Sequence, residues 1–522
     1  MILRRTILAA STALAAATVM TTPAAARSRT GAPKRLGALH MAPAREQVAA
    51  LRQGKISSRD LLEQYLQHIA TGNPALNAVI TLDAAGARAA ADKADRHLAD
   101  TGKPIGPLHG LPMTVKDALE TKGMRTTCGS PDLKDHVPAE DADAVALLRA
   151  AGAIIIGKTN VPTMCADLQT SNPLFGKTSN PYDSTKTAGG SSGGPAVSVA
   201  TGFSSLEVGS DLAGSLRLPA AYCGVYALRT SRGTSPIVPT RGHIPRLPGW
   251  ATSSDMLSLG PIARTADDLD LLLDVLAQPA PADRSGWKIA LPAPAKKKIG
   301  QYRVGLWSDD AYCRVDAGTR DLMGQVAAAL RKAGASIDDA SRPVDFKDSD
   351  LLFTRLMYAT ASATATEESF AADVEAANKI PAGDPAGLYL HSRTMRHHDW
   401  LVADEKRRQL AAAWASYFAE HDILITPATP TAAVPDQTSV PAPQREIRVD
   451  GQKRGYYEQT SWLNLTSPIG LPSLVVPAGQ TEDGLPLSIQ IVGPYLGDRT
   501  VIAAARQIVQ LLPPVQTPAR KR

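Results

Sequence analysis

Three short stretches of the chain carry residue types that together could perform nucleophilic catalysis. Lys116 lies in the mostly apolar run LHGLPMTVKDALE, Ser191 and Ser192 lie in GGSSGG, and Ser215 lies in VGSDLAGSLRLPA. A serine hydroxyl is a weak nucleophile and needs a base to remove its proton. Lys116 is the candidate base, provided that burial lowers its pKa enough to give a neutral amine.

Each stretch also has a simpler interpretation when it is considered alone. Lys116 and Asp117 could form a solvated ion pair, Gly189–Gly194 could be a flexible loop or linker, and Ser215 could cap a helix. A linker joins segments of different character, however, and both sides of GGSSGG look like the interior of one domain. The residue types alone therefore leave a catalytic and a structural role open.

The flanking sequence alternates between helix and strand patterns. ISSRDLLEQYLQHI predicts a helix that Ser57 or Ser58 caps, and AAGARAAADKADRHLAD predicts a second one. AIIIG, ILITP, SLVVPAG and LSIQIVG are short β-branched runs that predict buried strands. Strands early and late in the chain, with helices between them, predict an α/β fold. We expect a single large domain with a central mixed β-sheet covered by helices on both faces.

Two patterns suggest other chemistry without the context that it needs. Gly152–Thr159 (GAIIIGKT) fits the P-loop formula, but Ala-Ile-Ile-Ile predicts a strand where a phosphate-binding turn is required. Pro162 follows where the helix of a P-loop should begin. His397 and His398 lie on a polar helical stretch, and the chain has no His-Glu-x-x-His metal motif. The sequence thus favours neither nucleotide binding nor a metal site.

Six ordered sequence blocks cover most of the chain. They are GPLHGLPMTVKD, GAIIIGKTNVP, SNPLFGKTSNPYDSTKTAGGSSGG, GSDLAGSLRLPA, LGPIARTADDL and LPSLVVPAGQTEDGLPLSIQIVGP, and they span roughly Pro107 to Pro494. Together they resemble the amidase signature family. The reactive residues also have spacings that suit the family, with 75 residues from Lys116 to Ser191 and 24 from Ser191 to Ser215.

The resemblance implies a serine amidohydrolase with Lys116, Ser191 and Ser215 as its catalytic residues. In the family arrangement Ser215 is the nucleophile, and Ser191 passes its proton to Lys116. The same transfer in reverse protonates the leaving amine, which is otherwise a poor leaving group. Water then hydrolyses the acyl-Ser215 ester. The family needs no metal and no organic cofactor, so none is expected here.

The resemblance also assigns residues around the nucleophile. Four backbone N–H groups are predicted to form the oxyanion hole, those of Leu212, Ala213, Gly214 and Ser215. Three further residues are predicted to support the site: Ser192, Asp211 and Arg217. The family often has glycine where this chain has Ala213, and alanine keeps the N–H group while adding a Cβ atom.

The two ends of the chain predict processing and flexibility. Arg4-Arg5, a short apolar run and Ala24-Ala25-Ala26 predict an export signal cleaved near Ala26, through either the twin-arginine or the ordinary secretory route. The run is shorter than the ~20 apolar residues of a membrane-spanning helix, so no stable membrane span is expected. The predicted segments are the signal at 1–26, a disordered lead-in at 27–40, the amidase domain at 41–513 and a basic tail at 514–522.

Composition limits the partners that the protein could have. The 522 residues carry a formal charge of only +6 and 5% aromatic residues, without a basic stripe, which argues against nucleic-acid binding. The four cysteines are too scattered for a disulfide framework, so each is expected to be a buried free thiol unless one pair forms a bridge. The sequence does not indicate an oligomeric state.

We therefore expect an exported amidase that hydrolyses a linear carbon–nitrogen bond (EC 3.5.1.-) of a small-molecule or peptide amide. Two alternatives remain, a catalytically silent binding protein on an amidase scaffold and a transamidating subunit of the kind that acts on misacylated tRNA. Selectivity is expected to come from Leu351–Trp400 and from the loop around Cys165 and Asp167. Neither segment identifies the substrate.

Overall fold

The computed structural model describes residues 38–245 and 252–518 of the chain, and the chain from Ala38 onward forms one compact unit. The predicted export signal at 1–26 lies outside the described residues, as does most of the predicted lead-in at 27–40. Leu39–Met41 forms a 3-10 turn, and His40 is buried with its ring against Tyr65. The described structure thus includes residues 38–40 of the predicted lead-in.

Helices and strands are interleaved along the described chain, although four α-helices follow one another between Asp338 and Ile423. The strands are β1 Val79–Leu82, β2 Pro112–Lys116, β3 Ile154–Thr159, β4 Ser171–Asn172, β5 Gly176–Lys177, β6 Leu206–Asp211, β7 Tyr226–Arg229, β8 Ser258–Ala263, β9 Arg303–Leu306, β10 Ser336–Asp338, β11 Ile423–Pro427, β12 Glu446–Val449, β13 Gln452–Gly455, β14 Ser473–Gln480 and β15 Pro486–Val492. The helices are α1 Ala44–Arg52, α2 Ser58–Leu76, α3 Ala84–Thr101, α4 Asp143–Ala150, α5 Gly193–Thr201, α6 Arg217–Cys223, α7 Ala266–Leu276, α8 Ala317–Lys332, α9 Phe346–Ala361, α10 Glu367–Ala377, α11 Leu388–Arg393, α12 His397–Glu420, α13 Ser461–Asn464 and α14 Asp498–Ile508.

One large mixed sheet organises the domain. Its eight strands lie in the order β10-β9-β11-β15-β14-β7-β8-β6. The pairs β10/β9 and β9/β11 are parallel, and the remaining pairs are antiparallel. Every residue of β11 and β15, which contain the runs ILITP and LSIQIV, is buried, because helices pack against this sheet. The predicted α/β domain with one large mixed sheet is thus confirmed.

The run AIIIG forms a strand, but it lies outside the large sheet. It belongs to β3, the middle strand of a separate three-stranded sheet with the order β1-β3-β2. Lys158 of this strand is buried and donates to Leu119 O, to Thr121 Oγ1 at 2.9 Å and to Thr126 Oγ1 at 3.1 Å. Burial lowers the pKa of Lys158 to about 8. Gly152–Thr159 is therefore a buried strand and not a phosphate-binding loop.

The first long helix begins where its sequence predicts. Ser57 caps α2 by accepting from Asp60 N at 2.9 Å. The five apolar residues at helical spacing are all buried: Leu61, Leu62, Tyr65, Leu66 and Ile69. Within residues 38–245 and 252–518, no helix combines the length and apolar character needed to cross a membrane.

The described part of the predicted basic tail is attached to the domain. Gln516 N donates to Gln480 Oε1 at 2.9 Å, and Gln516 O accepts from the Tyr182 hydroxyl at 3.1 Å. Gln480 is the last residue of β14. The predicted boundary at 513 therefore falls inside a segment that still contacts the large sheet.

The hexapeptide GGSSGG is packed so tightly that its glycines are required for space. A Cβ atom on Gly190 would lie 2.6 Å from Asp167 O, and one on Gly194 would lie 2.3 Å from Asn160 N. Both neighbours are backbone atoms, which cannot move aside as a flexible side chain would. Ser191 and Ser192 between these glycines are fully buried. This segment is therefore a buried cradle and not a linker.

Replacing Gly194 should destabilise the fold because its Cβ atom would overlap the backbone of Asn160. We expect Gly194→Ala to lower the free energy of unfolding by about 1–3 kcal/mol, the usual cost of overpacking. The matched control is Gly324→Ala in the middle of α8, where an added Cβ meets nothing within 4 Å. That variant should gain about 0.5–1 kcal/mol from helix propensity. Chemical denaturation measures both, and a Gly194→Ala protein as stable as wild type would contradict the cradle.

Candidate active site

Lys116 is the last residue of β2 and is fully buried. Its Nζ atom hydrogen-bonds to three serine hydroxyls, those of Ser191 at 2.7 Å, Ser192 at 2.9 Å and Ser210 at 2.8 Å. Burial lowers the pKa of Lys116 below its usual value, because the charged ammonium is removed from water. The structure thus brings the predicted base into direct contact with the predicted relay serine.

The two serines of the hexapeptide differ in their contacts. The Ser191 hydroxyl bonds to Lys116, and the peptide bond between Gly190 and Ser191 is cis. Ser192 contacts Lys116, and its Oγ atom also lies 3.4 Å from both Ser210 O and Ser210 N. Ser192 therefore does more than support the loop, because it helps to hold Lys116 against β6.

Ser210 is a site residue that the sequence analysis missed. It lies on β6, five residues before Ser215, and completes the set of oxygens around Lys116. Its signal was present in the block GSDLAGSLRLPA, because a polar residue in a strand buried at every position must find a partner.

Ser215 lies in the turn between β6 and α6 and is half-buried. Its carbonyl oxygen accepts from Ser192 N at 2.9 Å, which joins the nucleophile's backbone to the hexapeptide. In the described part of the chain, its hydroxyl has no hydrogen-bond partner. Side-chain contacts therefore unite Lys116 with Ser191, whereas the proton transfer from Ser215 to Ser191 stays a prediction.

The predicted oxyanion hole loses one of its four donors in this structure. Gly214 N–H already donates to Asp211 Oδ1 at 2.9 Å, so it is not available to a substrate oxygen. Gly214 has a φ of +88°, and a Cβ atom there would meet Leu463 Cδ1 and Thr460 Cγ2 at 3.0 Å each. Among the described residues, the N–H groups of Leu212, Ala213 and Ser215 have no acceptor, and their role in oxyanion binding stays a prediction.

Asp211 and Arg217 form a fully buried ion pair behind the nucleophile. Arg217 Nε donates to Asp211 Oδ2 at 2.9 Å, and Arg217 Nη2 donates to Asp211 Oδ1 at 3.0 Å. Burial favours the neutral acid, but the charges of Arg217 and Arg229 outweigh it and hold the pKa of Asp211 well below its usual value. A permanent carboxylate therefore anchors Gly214 N–H and the start of α6.

The guanidinium of Arg217 also reaches segments that are distant in sequence. It donates to Leu463 O at 2.5 Å, to Gln490 Oε1 at 2.8 Å and to Ser467 Oγ at 2.9 Å. These three residues come from α13, from β15 and from the loop between α13 and β14. Arg217 thus ties the loop of the nucleophile to the C-terminal part of the domain.

Both segments predicted to set selectivity lie against the site. Ala213 packs on an apolar cluster that includes Phe353 and Leu356 of α9 and Trp400 of α12. The loop residue Asp167 forms an ion pair with Arg445 at 2.7 Å and accepts from the Tyr456 hydroxyl at 2.7 Å. Arg445 and Tyr456 were not predicted, because only the fold brings them to Asp167.

His, Cys, Asp and Glu side chains form no group of three that could hold a metal ion within the described ranges.

Comparison with known proteins shows the family of this chain. The family model named Amidase matches residues 60–502. The chain belongs to the amidase signature family. This amidase-family chain is 31% identical to a glutamyl-tRNA(Gln) amidotransferase subunit of Synechococcus sp. (strain CC9605), over 88% of this chain and 94% of that protein. It is 32% identical to indoleacetamide hydrolase of Bradyrhizobium diazoefficiens, over 88% of this chain and 84% of that protein.

A solved structure shows the same amidase fold. A bacterial aryl acylamidase of the amidase signature family has a TM-score of 0.76 and 25% identity to this chain, and the match covers 91% of this chain and 96% of that one. The predicted family resemblance is thereby confirmed. Proteins named as hydrolases and as amidotransferase subunits both occur among the relatives of this chain.

Removing Arg217 should destabilise the domain strongly, because the carboxylate of Asp211 would stay buried without its main partner. We expect Arg217→Met to lower the free energy of unfolding by about 3–5 kcal/mol. Arg331→Met is the control, since its ion pair with Asp339 is exposed on both sides and should contribute less than about 1 kcal/mol. Equal effects of the two variants in urea denaturation would contradict the anchoring role.

Proposed function

We propose that this protein is an amidase that hydrolyses a carboxamide C–N bond (EC 3.5.1.-) through an acyl-Ser215 intermediate. The observation that carries the proposal is the buried amine of Lys116 at 2.7 Å from Ser191 Oγ. A lysine in this position serves as a base because burial favours its neutral form. Lys158 is also buried and its pKa is also lowered, but its partners are Leu119 O and two threonines. Lys116 differs because it contacts Ser191.

The hydrogen bonds around Lys116 suggest how the base works. A charged ammonium has three donors, and the three serine oxygens accept all of them. The neutral amine has only two N–H bonds and a lone pair, so one serine must turn and donate its own proton. Ser192 is also engaged with the backbone of Ser210, whereas Ser191 bonds to Lys116. Ser191 and Ser210 are left as possible donors, and the family arrangement assigns the donation to Ser191.

The reaction then follows from proton positions. Ser191 gives its proton to Lys116 and takes the proton of Ser215, whose oxygen attacks the substrate carbonyl. The N–H groups of Leu212, Ala213 and Ser215 stabilise the oxyanion, each at a typical contribution of ~3 kcal/mol. The reverse transfer protonates the amine that leaves. Water attacks the acyl ester by the same route and restores Ser215.

Replacing the three catalytic residues tests the relay directly. We expect Ser215→Ala to abolish turnover, and Lys116→Ala and Ser191→Ala each to lower kcat/KM by about 10²–10⁴, the usual contribution of general acid–base catalysis. The assay uses a mixed library of amidated peptides, fatty amides, aryl amides and short aliphatic amides, with product masses read by mass spectrometry. Ser336→Ala on the exposed edge strand β10 is the control, and near-normal activity in any of the three variants would refute the assigned relay.

The pH dependence of kcat/KM should follow the ionisation of Lys116. Burial lowers its pKa below the usual ~10.4, and only the neutral amine above that pKa accepts the proton of Ser191. The rate should therefore rise with pH and level off once Lys116 is neutral. The residual rate of Lys116→Ala should lack this rise. A wild-type kcat/KM that stays flat or falls as the pH rises toward the pKa of Lys116 would contradict a lysine base.

An amidotransferase subunit is the second candidate function, and the relatives named as subunits of glutamyl-tRNA(Gln) amidotransferase favour it. A protein of that kind would release ammonia from glutamine and pass it to a second acceptor. Glutamine as the preferred substrate, with ammonia release that depends on Ser215, would support it. Broad turnover of other amides by the isolated chain would support the hydrolase.

A silent scaffold would also have an amidase fold but would not react. A fluorophosphonate probe separates the two, because it labels an activated serine whether or not the substrate is known. Labelling of wild type but not of Ser215→Ala supports the enzyme.

Export of the protein, with cleavage near Ala26, is a further part of the proposal and rests on the sequence of residues 1–26 alone.

A further inference from the structure

Two cysteines lie side by side next to the catalytic lysine. Cys128 Sγ and Cys165 Sγ are 3.8 Å apart, although the residues are 37 positions apart in sequence. Cys128 N–H donates to Asp117 O at 2.9 Å, so this cysteine sits beside the residue that follows Lys116. Cys165 ends the turn Thr163–Cys165. Both are free thiols, and the mechanism above uses neither.

The backbone around this pair is strained. Cys128 has a φ of +48° and Cys165 a φ of +58°, and the neighbours Met164 and Ile244 have φ values of +52° and +57°. L-residues other than glycine rarely adopt such values. All four belong to one small apolar cluster, and Met164 N donates to Cys128 O at 2.8 Å. Strain collected at one place beside a catalytic residue indicates a function for the pair beyond packing.

The two thiols differ in access. Cys165 is half-buried, whereas Cys128 is fully buried behind it. Cys165 is therefore the more accessible of the two, and we expect a reagent from solvent to react there first. The other two cysteines are buried and far from such a partner, since Cys223 Sγ donates to Ala188 O at 3.4 Å and Cys313 Sγ to Glu458 O at 3.9 Å.

We propose that Cys128 and Cys165 are a thiol modification site, which a small-molecule disulfide converts into an intramolecular disulfide bond that tunes the catalytic lysine. The tuning rests on the proposed function, whereas the bond itself does not. A disulfide needs the sulfur atoms at about 2.05 Å, so the two must approach by less than 2 Å from their present 3.8 Å. Side-chain rotation in two adjoining loops can supply a movement of that size.

The chemistry is an ordinary thiol–disulfide exchange. The Cys165 thiolate attacks one sulfur of the oxidant R–S–S–R, forms a mixed disulfide and releases one RS⁻. The Cys128 thiol then loses its proton, attacks the Cys165 sulfur and expels the second RS⁻. The protein loses two protons and two electrons, and the oxidant becomes two RSH molecules, so atoms and electrons balance.

The bond would act on Lys116 through charge. Burial lowers the pKa of Lys116, and negative charge on Cys165 and Cys128 opposes this, together with Asp211. The other ionisable groups that face the pair are Asp117, Lys158 and His243. A disulfide cannot ionise, so oxidation removes one source of negative charge and lowers the pKa of Lys116 further. The oxidised enzyme should therefore reach its neutral base at a lower pH.

The first experiment measures the bond without any substrate. The full chain is incubated with oxidised glutathione, alkylated under denaturing conditions and mapped by peptide mass. We expect a Cys128–Cys165 cross-link, with Cys223 and Cys313 still alkylated. Cys128→Ser should instead trap glutathione on Cys165, and Cys165→Ser should leave Cys128 unmodified. Absence of the cross-link, or glutathione on Cys128, would overturn the site.

The second experiment compares the pH profile of kcat/KM for the reduced and oxidised proteins. The rising limb should move to lower pH on oxidation and return with dithiothreitol. The side chain that Cys165→Ser introduces stays neutral, so the rising limb of this variant should already lie at the lower pH. It should not move when the oxidant is added. A cross-link without any shift would overturn the tuning. If no form turns over an amide, the proposed function fails, whereas the mass measurement still decides the modification site.

Discussion

The contact of one buried amine with three hydroxyl groups is the interaction on which the rest of the site depends. Taking an ammonium out of water costs several kcal/mol unless its donors are satisfied, and Lys116 satisfies its donors with Ser191, Ser192 and Ser210. Lys116 comes from the small sheet, whereas Ser210 comes from the large one. The site therefore exists only where the two sheets meet, and the hexapeptide fills the space between them.

A second buried charge, near Lys116 in space although 95 positions away in sequence, has the opposite character. The Asp211–Arg217 pair is held by several hydrogen bonds on each side, which keep both groups charged. Lys116 faces neutral hydroxyls, and burial weakens its hold on a proton. The fold thus places the permanent charge of Asp211 near the weakly held proton of Lys116. The difference between the two groups lies in their partners. The fixed charge of Asp211 positions Gly214, whereas the proposed function needs Lys116 to gain and lose a proton.

Much of this arrangement could be predicted from the sequence, for identifiable reasons. Helical spacing placed Leu61 and Tyr65 in the core, and β-branched runs located β11, β14 and β15, because periodicity is a local property. The family resemblance brought Lys116 and Ser191 together across 75 residues, which periodicity cannot do. The large central sheet was confirmed, whereas nothing in the sequence indicated that AIIIG lies in a separate small sheet. Strand pairing depends on non-local contacts that a local pattern does not contain.

The residues that escaped prediction share one property, which is that tertiary contacts define their role. Ser210 looks like any strand serine until Lys116 lies against it, and Arg445 acquires its partner Asp167 from 278 positions away. Gly214 N–H donates to Asp211 because of the conformation of the loop. Residue types alone do not predict that conformation.

The long sequence separation between Arg217 and its partners also determines when these contacts can form during protein synthesis. Its partner Gln490 follows it by 273 positions, near the end of a chain of 522 residues. A ribosome must therefore synthesise the chain through β15 before Arg217 can form its hydrogen bond with Gln490. The contacts of Lys116 with its serines involve no residue after Ser210, so only the anchoring of Arg217 waits for β15. A truncation that removes β15 would leave Lys116, Ser191 and Ser215 in the chain but would take from Arg217 its contact with Gln490.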